Sequence, residues 1–181
     1  MRRLVTGVNA AGEAVFQCDD ESPHRLQMGN FEMGETWFDP APVISDGTAD
    51  LAETKLGSVP EAGEVLVRYV VFPPQAEMDA MLQRNDMQES DLQENDLQEN
   101  AAAGVSDKFH VEEDNPGMHT TETIDYGFVL EGSLVLELDN GAKRVLNQGD
   151  TYIQNGTRHA WYNETDKPAV IGVVMLGAKR Q

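Results

Sequence analysis

The sequence predicts an all-β fold, a sandwich or barrel of short antiparallel strands. Three observations carry this. Apolar, β-branched runs are short and are bounded by Gly, Pro, Asn and Asp. Asp139-Asn140-Gly141 is a strong hairpin turn, because Asn-Gly tolerates positive φ at both central positions. No stretch sustains the apolar period of a helix.

Taken in order, residues 2–16 alternate around Asn9-Ala10-Ala11-Gly12 and read as a hairpin. Residues 17–36 are polar and rich in Met and Gly, and read as loop or irregular edge strand. Trp37-Phe38 anchors a Pro-broken loop at Asp39-Pro40. Residues 46–63 are acidic and read as surface loop, with a helical turn at 49–55. Val65 to Phe72 is the clearest strand of the first half, and Pro73-Pro74 ends it. Residues 81–100 form a tandem repeat, MLQRN, DMQES, DLQEN, DLQEN. Its period matches neither helix nor strand, so it reads as an acidic surface insertion, disordered or weakly helical. Strands are expected at 127–131, 133–138, 143–146, 151–154, 160–163 and 169–176, with turns at Gly132, at Asn140-Gly141 and at Gly149. The chain divides into N-terminal strands and loops that join the barrel (1–72), an acidic low-complexity insertion (73–117) and a motif core (118–181), all one domain.

Length and charge bound the function. A chain of 181 residues builds one domain with a sizeable core. Its net charge of −19 argues against nucleic acid, whose binding needs a basic face. The expected partner is a small-molecule substrate. Cys18 is the lone cysteine, so no intrachain disulfide is available, in keeping with a reducing compartment. Arg2-Arg3 is not followed by an apolar run, and no stretch approaches the length of a membrane span. The expectation is a cytoplasmic protein without membrane attachment.

Two Gly-bounded motifs hold most of the chain's candidate chemistry. The first runs from Gly117 through His119, Thr121, Asp125 and Gly132. The second runs from Gly149 through Gln154, Gly156, His159 and Asn163. They resemble the two signature motifs of the cupin superfamily. His119 stands at that family's first His, Thr121 at its second, Asp125 at its Glu, and Gly132 at its closing Gly. Gln154 stands where the family has Pro, the preceding gap is one residue shorter, and Thr121 replaces an imidazole that is usually a ligand. The stretches from Gly117 to Gly127 and from Gln154 to Trp161 look like a subgroup of small bacterial and fungal cupins, some associated with natural-product pathways. The resemblance covers about the last third of the chain. It implies a double-stranded β-helix, or jelly-roll barrel, here with an N-terminal strand extension. It also implies one divalent metal ion (Fe, Zn, Mn or Ni) held by His119, Asp125 and His159.

Strand alternation puts His119, Thr121, Thr123 and Asp125 on one face and Glu122 and Tyr126 on the other. His119 and Asp125 stand too far apart on a flat strand to share an ion, so a bend or bulge must bring them together. Glu122, turned inward by a bulge, would be a replacement ligand or general base; Tyr126 and Thr121 are further catalytic candidates. Trp161, Tyr152 and Phe128 are candidates for a substrate pocket. His24 and His110 read as solvated. The expected function is a metal-dependent enzyme acting on a small organic molecule by lyase, dehydratase or isomerase chemistry. The alternatives are a non-haem iron dioxygenase and a non-catalytic small-molecule-binding protein. Apolar residues Phe128, Leu130 and Leu134 are expected to lie on exposed faces that a homodimer would cover.

Overall fold

The computed structural model describes residues 2–21, 24–39, 59–83, 109–112, 115 and 117–180. The helical turn expected at 49–55 and most of the five-residue repeat lie outside them. Strands dominate: β1 (Arg2–Val8), β2 (Ala14–Glu21), β3 (His24–Met28), β4 (Phe31–Asp39), β5 (Val65–Phe72), β6 (Phe109–Val111), β7 (His119–Thr121), β8 (Thr123–Glu131), β9 (Ser133–Glu137), β10 (Lys143–Asn147), β11 (Thr151–Asn155), β12 (Ala160–Tyr162) and β13 (Ala169–Gly177). One α-helix, α1 (Gln75–Gln83), is described. It is not long or apolar enough to cross a membrane.

A six-stranded antiparallel sheet, ordered β11-β8-β13-β5-β4-β3, faces a three-stranded sheet, β10-β9-β12. From β8 to β13 the chain crosses repeatedly between the two, as a double-stranded β-helix requires. The β6-β7 and β1-β2 pairs form separate two-stranded ladders. β1 and β2 make the expected N-terminal hairpin, closed by the Asn9 side chain, which accepts from the Ala11 and Glu13 amides. In the turn after β9, Asn140 and Gly141 take φ of 58° and 69°. These left-handed values are what that dipeptide makes inexpensive.

Alternation along the strands decides what is inside. β13 buries every second residue, and Ile171 joins Val129, Leu134, Leu146, Tyr152 and Ala169 in one core cluster. Leu66, Val173 and Met175 form a second, with Phe38 against it. On β8 the odd positions 123–129 are buried and the even positions 126–130 face out. Phe128 and Leu130 are therefore exposed, as expected, at 50% and 43%. Leu134 is not: it is fully buried, because β9 turns it toward the large sheet.

Two further expectations are corrected. Residues 17–36 are mostly strand, not loop: they end β2, make β3, which is an edge strand as the other reading had it, and begin β4. β4 lies between β3 and β5, so its backbone is paired on both sides. The register sets buried Glu35 opposite Arg68 and rests the Tyr69 ring over Gly34. Those partners make a polar, Gly-containing segment viable inside a sheet. The second is α1, which no local period announced. Pro74 leads into it, and its carbonyl accepts from the Glu77 and Met78 amides. Glu77 in the first turn suits the helix dipole. The Gln75 amide donates to the Asn163 carbonyl at 2.7 Å, tying the helix start to the end of β12. Buried Asn163 reinforces this, donating to the Phe72 and Lys167 carbonyls.

Candidate functional site

His119 on β7 and His159, just before β12, meet across a two-residue antiparallel bridge. Each backbone amide donates to the other residue's carbonyl at 2.9 Å. The bridge holds the ring centroids 4.2 Å apart. His119 Nδ1 lies 2.9 Å from the Gly117 carbonyl, and His159 Nδ1 lies 2.8 Å from that of Thr157. A carbonyl only accepts, so each Nδ1 carries the proton and each neutral ring has its lone pair on Nε2.

The loop before His159 is braced from within. The Gln154 side-chain amide donates to the Thr157 hydroxyl and, at 3.3 Å, to its carbonyl. Arg180 donates to the carbonyls of Gly156 (2.8 Å) and Thr121 (3.2 Å), joining this loop to the end of β7. Gln154 therefore orders the loop by hydrogen bonding where the expected Pro would do so by its ring.

Both imidazoles line a cavity of about 590 Å³ that also takes in Thr121, Asp125, Tyr152 and Trp161. Apolar side chains such as Phe31, Val70, Ile171 and Val173 supply much of its wall. The expected residues thus divide. Glu122 sits at the break between β7 and β8 and lines a different hollow, beside Lys179 and Arg180. Tyr126 and Phe128 point to the outer face of the large sheet, 42% and 50% exposed. The cause is alternation: with Asp125 inward, the residues at 126 and 128 must face out. Thr121 faces the cavity, and its hydroxyl is 2.8 Å from that of Thr123. His24, expected in solvent, is half-buried with Nδ1 3.9 Å from Glu35 Oε2. The His110 side chain lies outside the described residues.

Asp125 is 7% exposed, and its Oδ1 is buried without a hydrogen-bond partner. Burial pushes its pKa up, against lowering by the Thr123 hydroxyl and the Arg68 charge. It shares the cavity with the imidazoles, but the expected three-residue ligand set is not assembled. Among the described residues no group of three or more His, Cys, Asp or Glu side chains is arranged to hold an ion. β7 and β8 belong to different sheets, with Glu122 at the break between them. Each imidazole of the pair has its Nδ1 held on a carbonyl, the second-shell arrangement common to metal-ligating histidines.

Tyr152 reaches the site because Gly127 has no side chain. The two are cross-strand partners, and a Cβ at Gly127 would lie 2.0 Å from the phenol Cζ. The ring lies across the glycine and stacks at a tilt against Trp161, centroids 4.7 Å apart. Burial, then the Asp125 charge, raises the phenol pKa. Gly127→Ala is expected to cost about 1–3 kcal/mol of stability by overpacking. It should also displace the ring, read as a changed near-ultraviolet dichroism; an unchanged urea midpoint would contradict this.

The His159 pKa is lowered to about 4, first by burial and then by the His119 ring, against a rise from the Thr157 carbonyl. Burial lowers that of His119 as well. Unfolded, a His takes its proton near 6.5. Between about 4 and 6.5 the unfolded chain therefore holds a proton that folded His159 does not, and stability falls as pH falls. Asp125 opposes this, since its raised pKa lets the folded state take up a proton first. In metal-free protein, wild type should lose about 2 kcal/mol more than His159→Gln between pH 7 and pH 4.5, by urea unfolding. Equal losses would refute the assignment.

Residues 108–175 match the model of the cupin domain family. Those residues are a cupin domain. The chain is similar to the cupin-domain-containing oxidoreductase srdD of Neurospora crassa, 27% identical over 96% of this chain and 71% of that protein. Phomopsin biosynthesis cluster protein D of Diaporthe leptostromiformis is 52% identical over 48 residues, which are 26% of this chain and 25% of that protein. The chain thus spans about a quarter of the length of that relative. A cupin 2 conserved barrel domain protein from Salinispora arenicola has a solved structure similar over 84% of this chain and 81% of its own, at 13% identity and a TM-score of 0.42.

Sequence reasoning missed three contributors to the cavity. Arg68 lies on its wall, Glu35 holds Arg68, and Gly127 admits Tyr152. The alternation of Val65 to Phe72 marks Arg68 as a charge on an otherwise apolar strand, the one signal available in advance.

Proposed function

We propose that the cavity is the active site of a metal-dependent enzyme acting on a small organic molecule, with His119 and His159 as the metal ligands. The observation that carries this is the imidazole pair, each ring oriented by a carbonyl on Nδ1 and opening on a largely apolar cavity. A bound divalent ion supplies Lewis acidity, polarising a carbonyl or hydroxyl oxygen.

The chain's own groups support proton transfer. Asp125 Oδ1 is buried and unpartnered, so it is available to give or take a proton at a substrate carbon or oxygen. Burial raises its pKa above the usual carboxylate range, which favours its holding a proton in the cavity. Much of the wall is apolar, and Trp161 and Tyr152 offer ring faces against which a flat or branched substrate would lie. This set supports dehydration, elimination or isomerisation as the reaction. Oxidation is the second reading, favoured by the name of the srdD relative.

The test begins with protein purified without chelator. Elemental analysis should find a divalent metal, and His119→Ala should remove it. Protein that arrives metal-free and takes up no Fe, Zn, Mn or Ni on titration rules the proposal out. Dioxygen consumption during turnover would select the oxidative reading; turnover without it selects the lyase or isomerase reading.

A further inference from the structure

The wall of the large sheet carries a charge whose one effect described so far is to lower the Asp125 pKa. Arg68 on β5 lines the cavity, with a side chain only 10% exposed. Its Nη2 donates to Glu35 Oε1 at 2.6 Å. Glu35 is fully buried on β4 and is not among the cavity-lining residues. It stands beside Arg68 in the sheet, with His24 of β3 on its other side. The carboxylate therefore holds the guanidinium, while Arg68 itself lines the cavity. This is notable in a chain of net charge −19.

Register gives the cation its neighbours. Arg68 pairs with Val173, Val173 with Gly127, and Gly127 with Tyr152, all on the inward face. One row of the sheet thus carries a guanidinium and a phenol, separated by a Val and a Gly. Phe31, Val70 and Ile171 are apolar surface in the same cavity. A planar guanidinium matches a carboxylate in shape and charge.

We infer that Arg68 is the specificity-determining residue for a substrate carboxylate, with Glu35 as its positioning residue, and that the substrate class is small organic acids with an apolar body. The inference deepens the reading of this cavity as a small-molecule site and rests on it. The carboxylate lies at the sheet wall, which leaves the reacting end for the imidazoles and Asp125.

The test compares phenylacetate with its uncharged counterpart 2-phenylethanol by calorimetry, on protein as purified and after metal removal. Phenylacetate should bind about tenfold tighter or more, the usual effect of a charge-assisted hydrogen bond. Because Arg68→Met alone leaves Glu35 buried without its cation, the variant used is Arg68→Met with Glu35→Gln, its folding checked by melting temperature. That double variant should bind both probes equally, whereas His159→Ala should keep the preference. Equal binding by wild type, or a preference that survives the double variant, overturns the inference. A preference lost in His159→Ala but kept in the double variant puts the anion at the imidazole pair; the metal reading then stands and the role of Arg68 falls.

Discussion

Glu35→Ala is expected to lower the unfolding free energy by about 3–5 kcal/mol, the usual result of removing one partner of a buried ion pair. Glu35 is fully buried and Arg68 is 10% exposed on the neighbouring strand. Removing the carboxylate leaves the guanidinium without its Glu35 counter-charge in low dielectric, and less of its desolvation is then compensated. His24, 3.9 Å from the same carboxylate, loses its contact as well. Replacing both charges, as Glu35→Gln with Arg68→Met, is expected to be close to neutral, because no charge is left to desolvate. Urea unfolding of the three proteins checks the pair. A Glu35→Ala loss no greater than that of the double variant would show that the ion pair contributes nothing specific.

The second large effect is at the imidazole pair. His159→Ala is expected to weaken divalent-metal binding roughly a hundredfold or more, since one protein ligand of a bound ion accounts for several kcal/mol. The bridge to His119 uses backbone atoms, which the substitution leaves in place. The fold should therefore survive, and calorimetric titration with zinc can be read as a site effect. Asp125→Asn is the discriminating comparison. Because Asp125 is outside any ion-holding group of three, its replacement should leave zinc affinity nearly unchanged while abolishing proton transfer. A loss of affinity equal to that of His159→Ala would return Asp125 to the ligand set.

Legibility in the sequence followed the range of the interactions. The strands from β8 to β13 were readable because a period of two and Gly- or Asn-based turns are local. The N-terminal hairpin and β5 were readable for the same reason. β3 and β4 were not, since a polar segment becomes strand only where neighbours satisfy it; Glu35 finds its cation 33 positions away. Helix α1 was hidden because much of its support is the Pro74 carbonyl and the distant Asn163, not an apolar stripe. At the site, motif spacing selected His119, His159 and Asp125, but placing Phe128 in the pocket set aside the parity already assigned to Tyr126.

By itself the sequence determined an all-β chain, the common parity of His119, Thr121 and Asp125, and the two segments that supply the imidazoles. These are properties of neighbouring residues, imposed by strand geometry and turn chemistry. Only the tertiary structure decided that the two rings meet across a backbone bridge, that Asp125 shares their cavity without joining them, and that Arg68 and Tyr152 lie on one row of its wall. Those facts depend on which strands pair and in what register, and pairing between distant segments is settled by burial of the whole sheet rather than by any local pattern.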